Sequence, residues 1–247
     1  DLKDEEYVNS RYVIMATKKG QVKKTPLEQY SRPRTNGINA ITIKDGDELL
    51  EAKLTTGDSQ VMLAVKSGKA IRFEEEKTRP MGRNASGVRG IRLADDADEV
   101  VGMIAINDTS SEILVVSENG YGKRSSIEDY RITNRGGKGV KTISLTDKTG
   151  KLVAIKNVID SDDLMIINKS GIAIRMAVDS LRVMGRATQG VRLIKVREDD
   201  SIAAVAKVMK EDDPELDESL QDADSQNTPV DVTGAEATAE QTSTEEE

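Results

Sequence analysis

The amino-acid sequence predicts an all-β protein made of repeated, blade-like units, and three observations lead to this prediction. Glycines recur at an interval of about fifty residues, and every copy contains short β-branched runs of strand length. The 3.6-residue period that a solenoid of helical repeats requires is not found. A repeat of this size built from strands is typical of a propeller, in which each unit packs on its neighbours.

Two glycines mark every unit. The first set is Gly20, Gly68, Gly120 and Gly171, at spacings of 48, 52 and 51 residues. The second set is Gly37, Gly87, Gly139 and Gly190, at spacings of 50, 52 and 51 residues. A small or polar residue precedes each glycine of the first set, which is typical of a hairpin turn because glycine supplies the positive φ. The four units are expected at about 11–57, 58–109, 110–160 and 161–209.

Each unit is expected to hold about four short antiparallel strands, the strand count of a propeller blade. The first strands are expected at Val13–Thr17, Val61–Val65, Ile113–Ser117 and Leu164–Asn168. The last strands are expected at Leu49–Leu54, Val100–Ile106, Leu152–Ile159 and Ile202–Val208. After the second glycine, residues such as Val88, Arg89 and Ile91 are expected to alternate between the two faces of a further strand.

Charge is distributed unevenly along the chain. Residues 210–247 hold fourteen acidic residues and one lysine, a net charge of −13, whereas residues 1–209 hold 35 basic and 30 acidic residues, a net charge of +5. The composition of 210–247 predicts a disordered acidic tail. A hypothesis compatible with disorder is that this tail mimics nucleic acid and competes for the basic body.

Composition also excludes several function classes. The chain contains no histidine and no cysteine, which removes thiol nucleophiles, disulfides and the usual zinc ligands. The stretch Arg135–Gly139 lacks the serine or threonine and the helix that follow a nucleotide-binding Walker lysine. No apolar run approaches the roughly 20 residues that span a bilayer. We therefore predict no cofactor or metal in this chain, no membrane contact and a cytoplasmic location. Because the sequence begins at Asp1, we expect a fragment or a processed product.

Basic residues recur in phase with the glycines, and the clearest case lies four residues after each first glycine, at Lys24, Arg72, Arg124 and Arg175. If these residues served solubility alone, lysine and glutamate would interchange freely at such positions. We therefore predict that the row contacts the backbone of a nucleic acid. The residues predicted to contact DNA are Lys23, Lys24, Arg32, Arg34, Arg72, Arg79, Arg83, Arg89, Lys123, Arg124, Arg131, Arg135, Lys138, Lys141, Arg175, Arg182, Arg186 and Arg192.

The aromatic content indicates which kind of nucleic acid is bound. Proteins that bind single strands stack bases on aromatic side chains, and this chain has five tyrosines, one phenylalanine and no tryptophan. Charge spread along a curved rim suits the phosphates of bent duplex DNA, without base-specific contacts. The alternative from another class is a propeller that binds proteins, although such a surface normally exposes aromatic anchors.

Four stretches carry a resemblance to a known family. Gly20–Thr25, Met81–Leu93, Asn119–Arg124 and Val183–Arg192 closely resemble the C-terminal domain of DNA gyrase A, and the resemblance extends over about residues 10–209. It implies a β-pinwheel, a propeller-like ring whose blades exchange a strand and whose basic rim wraps DNA with positive handedness. It also implies a role in ATP-dependent negative supercoiling. The implied partners are the breakage–reunion region of gyrase A itself and gyrase B, with ATP and magnesium bound on other domains.

The resemblance has limits. The family's ring normally has six blades, so two further blades are expected upstream. The catalytic tyrosine of the family lies in the breakage–reunion region, so none of Tyr7, Tyr12, Tyr30, Tyr121 and Tyr130 is assigned that role. The gyrase box, Gln-Arg-Arg-Gly-Gly-Lys-Gly, has only a degenerate counterpart here, at Thr133–Gly139. The C-terminal domain of the corresponding topoisomerase IV protein, with a more degenerate pinwheel that wraps less DNA, is the alternative within the same class.

Overall fold

A computed structural model of the chain describes residues 4–209. This part of the chain contains one short helix, α1 (Glu5–Asn9), and fifteen β-strands in four antiparallel sheets, which confirms the all-β prediction. The predicted acidic tail at 210–247 lies outside the described residues. Within 4–209, no helix combines the length and the apolar character needed to cross a membrane.

The strands are named β1 to β15 in chain order. Their bounds are β1 (Tyr12–Thr17), β2 (Gln21–Pro26), β3 (Leu49–Thr55), β4 (Gln60–Val65), β5 (Lys69–Glu74), β6 (Val88–Arg89), β7 (Val100–Ile106), β8 (Glu112–Ser117), β9 (Tyr121–Ser126), β10 (Val140–Lys141), β11 (Leu152–Val158), β12 (Asp162–Asn168), β13 (Ala173–Ala177), β14 (Val191–Arg192) and β15 (Ile202–Met209). A short 3-10 turn follows the second strand of every unit, at Leu27–Tyr30, Glu75–Lys77, Ile127–Asp129 and Val178–Ser180.

Neighbouring units exchange a strand. The strand orders of the four sheets, blades 1 to 4, are β3-β1-β2-β6, β7-β4-β5-β10, β11-β8-β9-β14 and β15-β12-β13. In blades 1 to 3 the last strand, called here the donated strand, comes from the following unit and pairs with an acceptor strand, which is β2, β5 or β9. This is the β-pinwheel exchange that the resemblance implies. Blade 4 has three strands in the described residues, because no donated strand pairs with β13.

The strand predicted after the second glycine is shorter than expected and belongs to another blade. In β6, Val88 pairs with Val22 and Arg89 pairs with Gln21, and the ladder then ends. The amides of Gly90 and Ile91 both donate to the carbonyl of Gly20, at 2.8 and 3.4 Å, which bends the chain towards blade 1. The predicted two-residue alternation through Ile91 is therefore wrong, since an apolar residue three positions after Val88 does not fit a period of two.

The hydrophobic core is divided among the gaps between consecutive blades. In β4, Val61, Leu63 and Val65 pack into a cluster shared with blade 1, whereas Met62 and Ala64 pack into a cluster shared with blade 3. A third cluster lies between blades 3 and 4. Because both faces of β4 and β8 are covered, these strands appear in the sequence as continuous apolar runs. The edge strands opposite the donated ones pack in succession, β3 on β7, β7 on β11 and β11 on β15.

Candidate nucleic-acid interface

The basic residues that lie four positions after the first glycine are buried in blades 1 to 3. Lys24, Arg72 and Arg124 expose between 4 and 7% of their surface. Each lies on an acceptor strand beside a residue of the next unit, as the bridges Arg72 to Ile132 and Arg124 to Val183 show. Their charged groups therefore lie between two successive units.

Arg72 illustrates the contacts of this row. Its Nε donates to the Oε1 of Gln60 at 2.8 Å. Its NH1 donates to the carbonyls of Ile127, at the start of the 3-10 turn of unit 3, and of Tyr130, directly after that turn, at 2.8 and 3.0 Å. A second guanidinium nitrogen also donates to Gln60. The guanidinium thus links blade 2 to the next unit through charge-assisted hydrogen bonds.

Arg124 and Lys24 make equivalent connections. Arg124 donates to the carbonyl of Leu181 in unit 4, and its NH1 lies 2.9 Å from the carboxylate of Glu112 and bonds to Asp160. Lys24 lies 3.1 Å from the buried carboxylate of Glu75, at the start of the next 3-10 turn, and 4.2 Å from the ring centre of Tyr12. The same position therefore stabilises three successive junctions with different partners.

Two further predicted residues, Lys23 and Lys123, are also buried. The Nζ of Lys23 donates to the carbonyls of Ala40 and Arg83, at 2.6 and 2.5 Å, and the Nζ of Lys123 donates to the carbonyl of Gly185 at 2.7 Å. Burial lowers the pKa of each ammonium group to about 8; Arg83 also lowers that of Lys23, and Asp129 raises that of Lys123. Both ammonium groups hold loops of the following unit.

Burial changes the interpretation of five of the eighteen predicted residues, Lys23, Lys24, Arg72, Lys123 and Arg124. Their donors are occupied by protein groups, and desolvated charges of this kind are not exposed to a phosphate at the surface. We therefore assign these five residues to the junctions between units. Arg175, at the same repeat position in blade 4, is exposed and donates to Asp163 at 2.7 Å.

Three other predicted residues, Arg83, Arg135 and Arg186, are half-buried in the loops that precede the second glycine. Each donates to a backbone carbonyl of the preceding unit: NH1 of Arg135 to Arg89 at 3.1 Å, NH1 of Arg186 to Lys141 at 2.8 Å, and NH1 of Arg83 to Asn39 at 3.4 Å. Arg135 and Arg186 therefore hold the backbone of donated strands in place, and Arg83 holds the corresponding segment of unit 1. Arg34, the equivalent residue of unit 1, is exposed.

The remaining predicted residues are exposed, and most of them lie along the donated edges. Arg89, Lys141 and Arg192 project from the donated strands themselves. The segments that run beside the acceptor strands carry Arg79, Arg131 and Arg182, each next to a residue that bridges to β2, β5 or β9. This set is called here the donated-edge cluster: Arg79, Arg89, Arg131, Lys138, Lys141, Arg182 and Arg192. Arg32 and Arg34 are exposed in the connector of unit 1.

The glycine-rich stretch Arg135–Gly139 lies at the donated edge of blade 2. It borders a cavity of about 250 Å³ that is also lined by Arg131, Asn134 and the acceptor strand β5. Gly139 has a φ of +72°, and a Cβ atom there would lie 2.5 Å from the carbonyl oxygen of Ala70. Glycine at this position therefore permits strand exchange, and Lys138 beside it stays exposed.

Local contacts orient part of the cluster. The guanidinium of Arg192 lies 5.4 Å from the ring centre of Tyr121, and its NH2 donates to the tyrosine hydroxyl at 2.9 Å. This hydrogen bond lowers the pKa of Tyr121.

Within residues 4–209, no group of three or more acidic side chains is placed to hold a metal ion.

Sequence reasoning missed two exposed basic residues, Arg92 and Lys195. Both follow a buried isoleucine, Ile91 or Ile194, at equivalent positions of units 2 and 4. Arg92 and Lys138 line a common cavity of about 220 Å³. The missed signal was this recurrence, which was hidden because unit 3 has Ser144 at the same position.

Strand-exchanged blades with basic donated edges define a propeller-like repeat protein whose surface suits a polyanion. The model of the family described as DNA gyrase C-terminal domain, beta-propeller, matches four segments of the chain, residues 11–56, 60–107, 111–159 and 162–209. The chain belongs to this family.

Curated relatives of the chain include A subunits of DNA gyrase. That of Staphylococcus epidermidis is 44% identical over 214 residues, which are 86% of this chain and 23% of that protein. That of Staphylococcus aureus is 43% identical over 211 residues, which are 85% of this chain and 24% of that protein. The chain thus spans about a quarter of the length of these curated relatives.

Two solved structures share the fold. The C-terminal domain of DNA topoisomerase IV matches with a TM-score of 0.77 and 24% identity, over 87% of this chain and 67% of that one. The DNA gyrase A C-terminal domain matches with a TM-score of 0.73 and 24% identity, over 81% of this chain and 67% of that one. At this level of identity the likeness concerns the fold.

Proposed function

We propose that this chain binds duplex DNA without sequence specificity and wraps it along the donated edges of its blades. The observation that carries the proposal is the donated-edge cluster, in which exposed basic side chains recur along one edge of the sheets of blades 1 to 3. A recurring row of cations can neutralise phosphates at several places along one duplex, and phosphate contacts supply sequence-independent affinity.

The repetition of basic residues from blade to blade favours wrapping of the duplex over end-on binding. One blade offers two or three exposed cations, which is too few to offset the cost of bending DNA, on the order of 1–6 kcal/mol for 20–30 base pairs. Successive blades extend the same contacts along the duplex. The scarcity of aromatic side chains, one phenylalanine and five tyrosines, argues against stacking on unpaired bases.

We further propose that the wrap serves ATP-dependent negative supercoiling in the cytoplasm by a type II topoisomerase of the gyrase kind. The support is the identity of 43–44% to A subunits of DNA gyrase, whereas the likeness to topoisomerase IV is one of fold. On this proposal, the breakage–reunion region of gyrase A and the whole of gyrase B are partners. ATP and magnesium would act on other domains.

The test of wrapping is a linking-number measurement. Nicked circular DNA is sealed by ligase at low salt with increasing amounts of the chain, and the topoisomers are resolved after the protein is removed. We expect a positive shift in linking number that grows with protein. The variant Arg89→Gln/Lys141→Gln/Arg192→Gln is expected to reduce the shift. An unchanged linking number at protein concentrations that saturate the DNA would refute wrapping while leaving simple binding in place.

A further inference from the structure

An apolar residue recurs on the same sheet edges as the donated-edge cluster. In each of blades 1 to 3 it lies beside the fourth residue of the acceptor strand, in a single bridge to Lys24, Arg72 or Arg124. These residues are called here the edge apolar row: Pro80, Ile132 and Val183. All three are exposed, and Ile132 and Val183 expose 46 and 48% of their surface. The row therefore lies among the cations that are proposed to bind DNA.

The backbone holds every member of the row in the same register. The residue that follows each member donates its amide to the carbonyl of the bridged acceptor residue, at 2.7 or 2.8 Å. These bonds run from Met81 to Lys24, from Thr133 to Arg72 and from Met184 to Arg124. They use main-chain atoms alone, so they require no aliphatic side chain at the row position. One exposed aliphatic residue would need no explanation, but three at one register position point to a shared contact.

Cations flank every member of the row. The residue before each member is an exposed arginine: Arg79, Arg131 and Arg182. On the other side, the basic residue of the donated strand lies opposite the first residue of the acceptor strand, whereas the row member lies beside the fourth. At about 3.3 Å per residue, the two positions are roughly 10 Å apart along the edge. Each edge thus presents an aliphatic side chain between two positive charges.

This sequence of charged and aliphatic groups matches the minor groove of duplex DNA. Phosphates border that groove on both sides, and it is only about 6 Å wide, so its deoxyribose walls are close to a residue at its mouth. The major groove is about 12 Å wide and admits a whole helix or a two-stranded ribbon, whose base edges a single side chain on a sheet edge does not reach. A surface that binds protein normally centres on aromatic anchors, and the row contains none.

We propose that the edge apolar row contacts the deoxyriboses that line the minor groove of the wrapped duplex, an inference that rests on the proposed DNA function. The flanking cations reach the phosphates on the two sides of the groove. The row does not enter the base stack, because an inserted apolar wedge kinks DNA towards its major groove and away from the protein, whereas wrapping bends DNA towards the protein. The row therefore adds affinity that depends on apolar contact rather than on salt.

The variant Ile132→Ser/Val183→Ser removes two members of the row. We expect an affinity for duplex DNA that is about tenfold lower, which corresponds to the loss of about one buried methylene group at each site. The plot of log K against log salt concentration is expected to keep the slope of the unmodified chain, because the number of neutralised phosphates is unchanged. Fluorescence anisotropy with a duplex measures both quantities.

Two further variants separate apolar contact from a structural effect. Leu54→Ser/Ile159→Ser removes two aliphatic residues that are each 45% exposed, one in β3 and one directly after β11, away from the donated edges; it is expected to bind as the unmodified chain does. The exchange Ile132→Val/Val183→Ile keeps the row aliphatic and is expected to keep the affinity within about twofold. Far-UV circular dichroism and the urea midpoint check folding. If the serine variant does not fold, Ile132→Thr/Val183→Thr replaces it, with an expected loss of about threefold.

Modified duplexes identify the groove. Uracil in place of thymine removes a methyl group from the major groove, whereas the ligand netropsin fills the minor groove of A·T-rich DNA. The measured quantity is the ratio of the affinity of the unmodified chain to that of the serine variant on the same DNA. We expect this ratio to remain about tenfold on uracil DNA and to fall to about one on a duplex saturated with netropsin.

Several results would overturn the proposal. They are a folded serine variant that binds as tightly as the unmodified chain, an equal loss in Leu54→Ser/Ile159→Ser, and a flattened salt slope in the serine variant. A ratio that disappears on uracil DNA and persists with netropsin would also overturn it, because the contact would then lie in the major groove. None of these results affects the proposed wrapping, which the linking-number measurement tests separately. A chain that does not bind duplex DNA at low salt would overturn both.

Discussion

Blades 1 to 3 and blade 4 have the same repeat pattern, but within residues 4–209 a following unit packs against blades 1 to 3 alone, and that unit decides what a basic side chain contacts. With a donated strand present, Lys24, Arg72 and Arg124 are at most 7% exposed and bond to the next unit. Without one, the side chain of Arg175 is 39% exposed and contacts a carboxylate of its own sheet. The basic residue that recurs four positions after the first glycine therefore stabilises a junction between units in each blade that holds a donated strand.

The comparison also separates two causes of periodic charge. The buried row recurs because every junction has backbone carbonyls that need a donor, such as those of Ile127 and Tyr130 beside Arg72. The exposed row at Arg89, Lys141 and Arg192 serves no junction carbonyl in residues 4–209, and Arg192 contacts the hydroxyl of Tyr121 at the surface instead. Only the recurrence of the exposed row is explained by a binding partner outside the chain.

The largest expected effect comes from removing a junction arginine. Arg72→Ala leaves the carbonyls of Ile127 and Tyr130 without their donor, and we expect it to lower the free energy of unfolding by about 3 kcal/mol or more. Arg175→Ala removes a half-exposed guanidinium from the nearly buried carboxylate of Asp163 and is expected to cost less, about 1–2 kcal/mol. Urea unfolding followed by circular dichroism measures both values. Equal costs would contradict the distinction between the two regions.

A matched pair of glycines gives the next largest effect. Gly139→Ala places a Cβ atom against the carbonyl of Ala70 at a positive φ, and we expect a loss of about 3 kcal/mol. Gly37→Ala has a similar φ but open space, so it is expected to cost only about 1–2 kcal/mol for the left-handed backbone. The difference in urea midpoints reports the close approach of the donated strand. Its absence would mean that the exchange does not persist in solution.

A pH-dependent effect on stability is expected from the buried lysines. Burial lowers the pKa of Lys23 and Lys123 from 10.5 to about 8, so between these values the unfolded chain binds more protons than the folded chain. Folding stability therefore rises with pH through this window and is insensitive to these two groups below it. The double variant Lys23→Met/Lys123→Met is expected to lose this rise when unfolding is measured from pH 7 to 10. A rise that is the same in the variant would assign it to other groups.

Much of the fold could be predicted from the sequence. The apolar runs at β4 and β8 and the hairpin glycines depend on local chemistry, so their strands lie where the sequence predicts them. The blade with which the donated strand pairs could not be predicted from residues such as Val88 and Arg89, because a strand of two residues shows no periodicity in the sequence. The strand exchange was expected only because the sequence resembles a known family.

The candidate site was harder to predict for a related reason. Sequence periodicity shows that Arg72 and Arg89 recur, but it does not show which of them the neighbouring unit covers. Burial of Arg72 depends on the 3-10 turn of unit 3, which lies 55 residues further along the chain at Ile127. Arg92 was missed because unit 3 has Ser144 at the equivalent position, so the sequence shows no regular recurrence. That Arg92 is exposed became evident only in the folded structure.

If DNA follows the donated edges, a salt titration of DNA binding distinguishes these edges from the opposite ones. Two triple variants lose equal charge: Arg89→Gln/Lys141→Gln/Arg192→Gln on donated strands, and Lys53→Gln/Lys156→Gln/Lys207→Gln on the opposite edge strands. Lys53 and Lys156 occupy equivalent register positions there, and Lys207 lies one position further along its strand. Fluorescence anisotropy with a duplex gives log K against log salt concentration for each.

We predict that the donated-strand variant flattens the slope by about 0.9 for every phosphate that is no longer neutralised, and that the opposite-edge variant keeps the slope of the unmodified chain. Equal slopes in the two variants, or a flattening confined to the opposite-edge variant, would contradict the proposed DNA path.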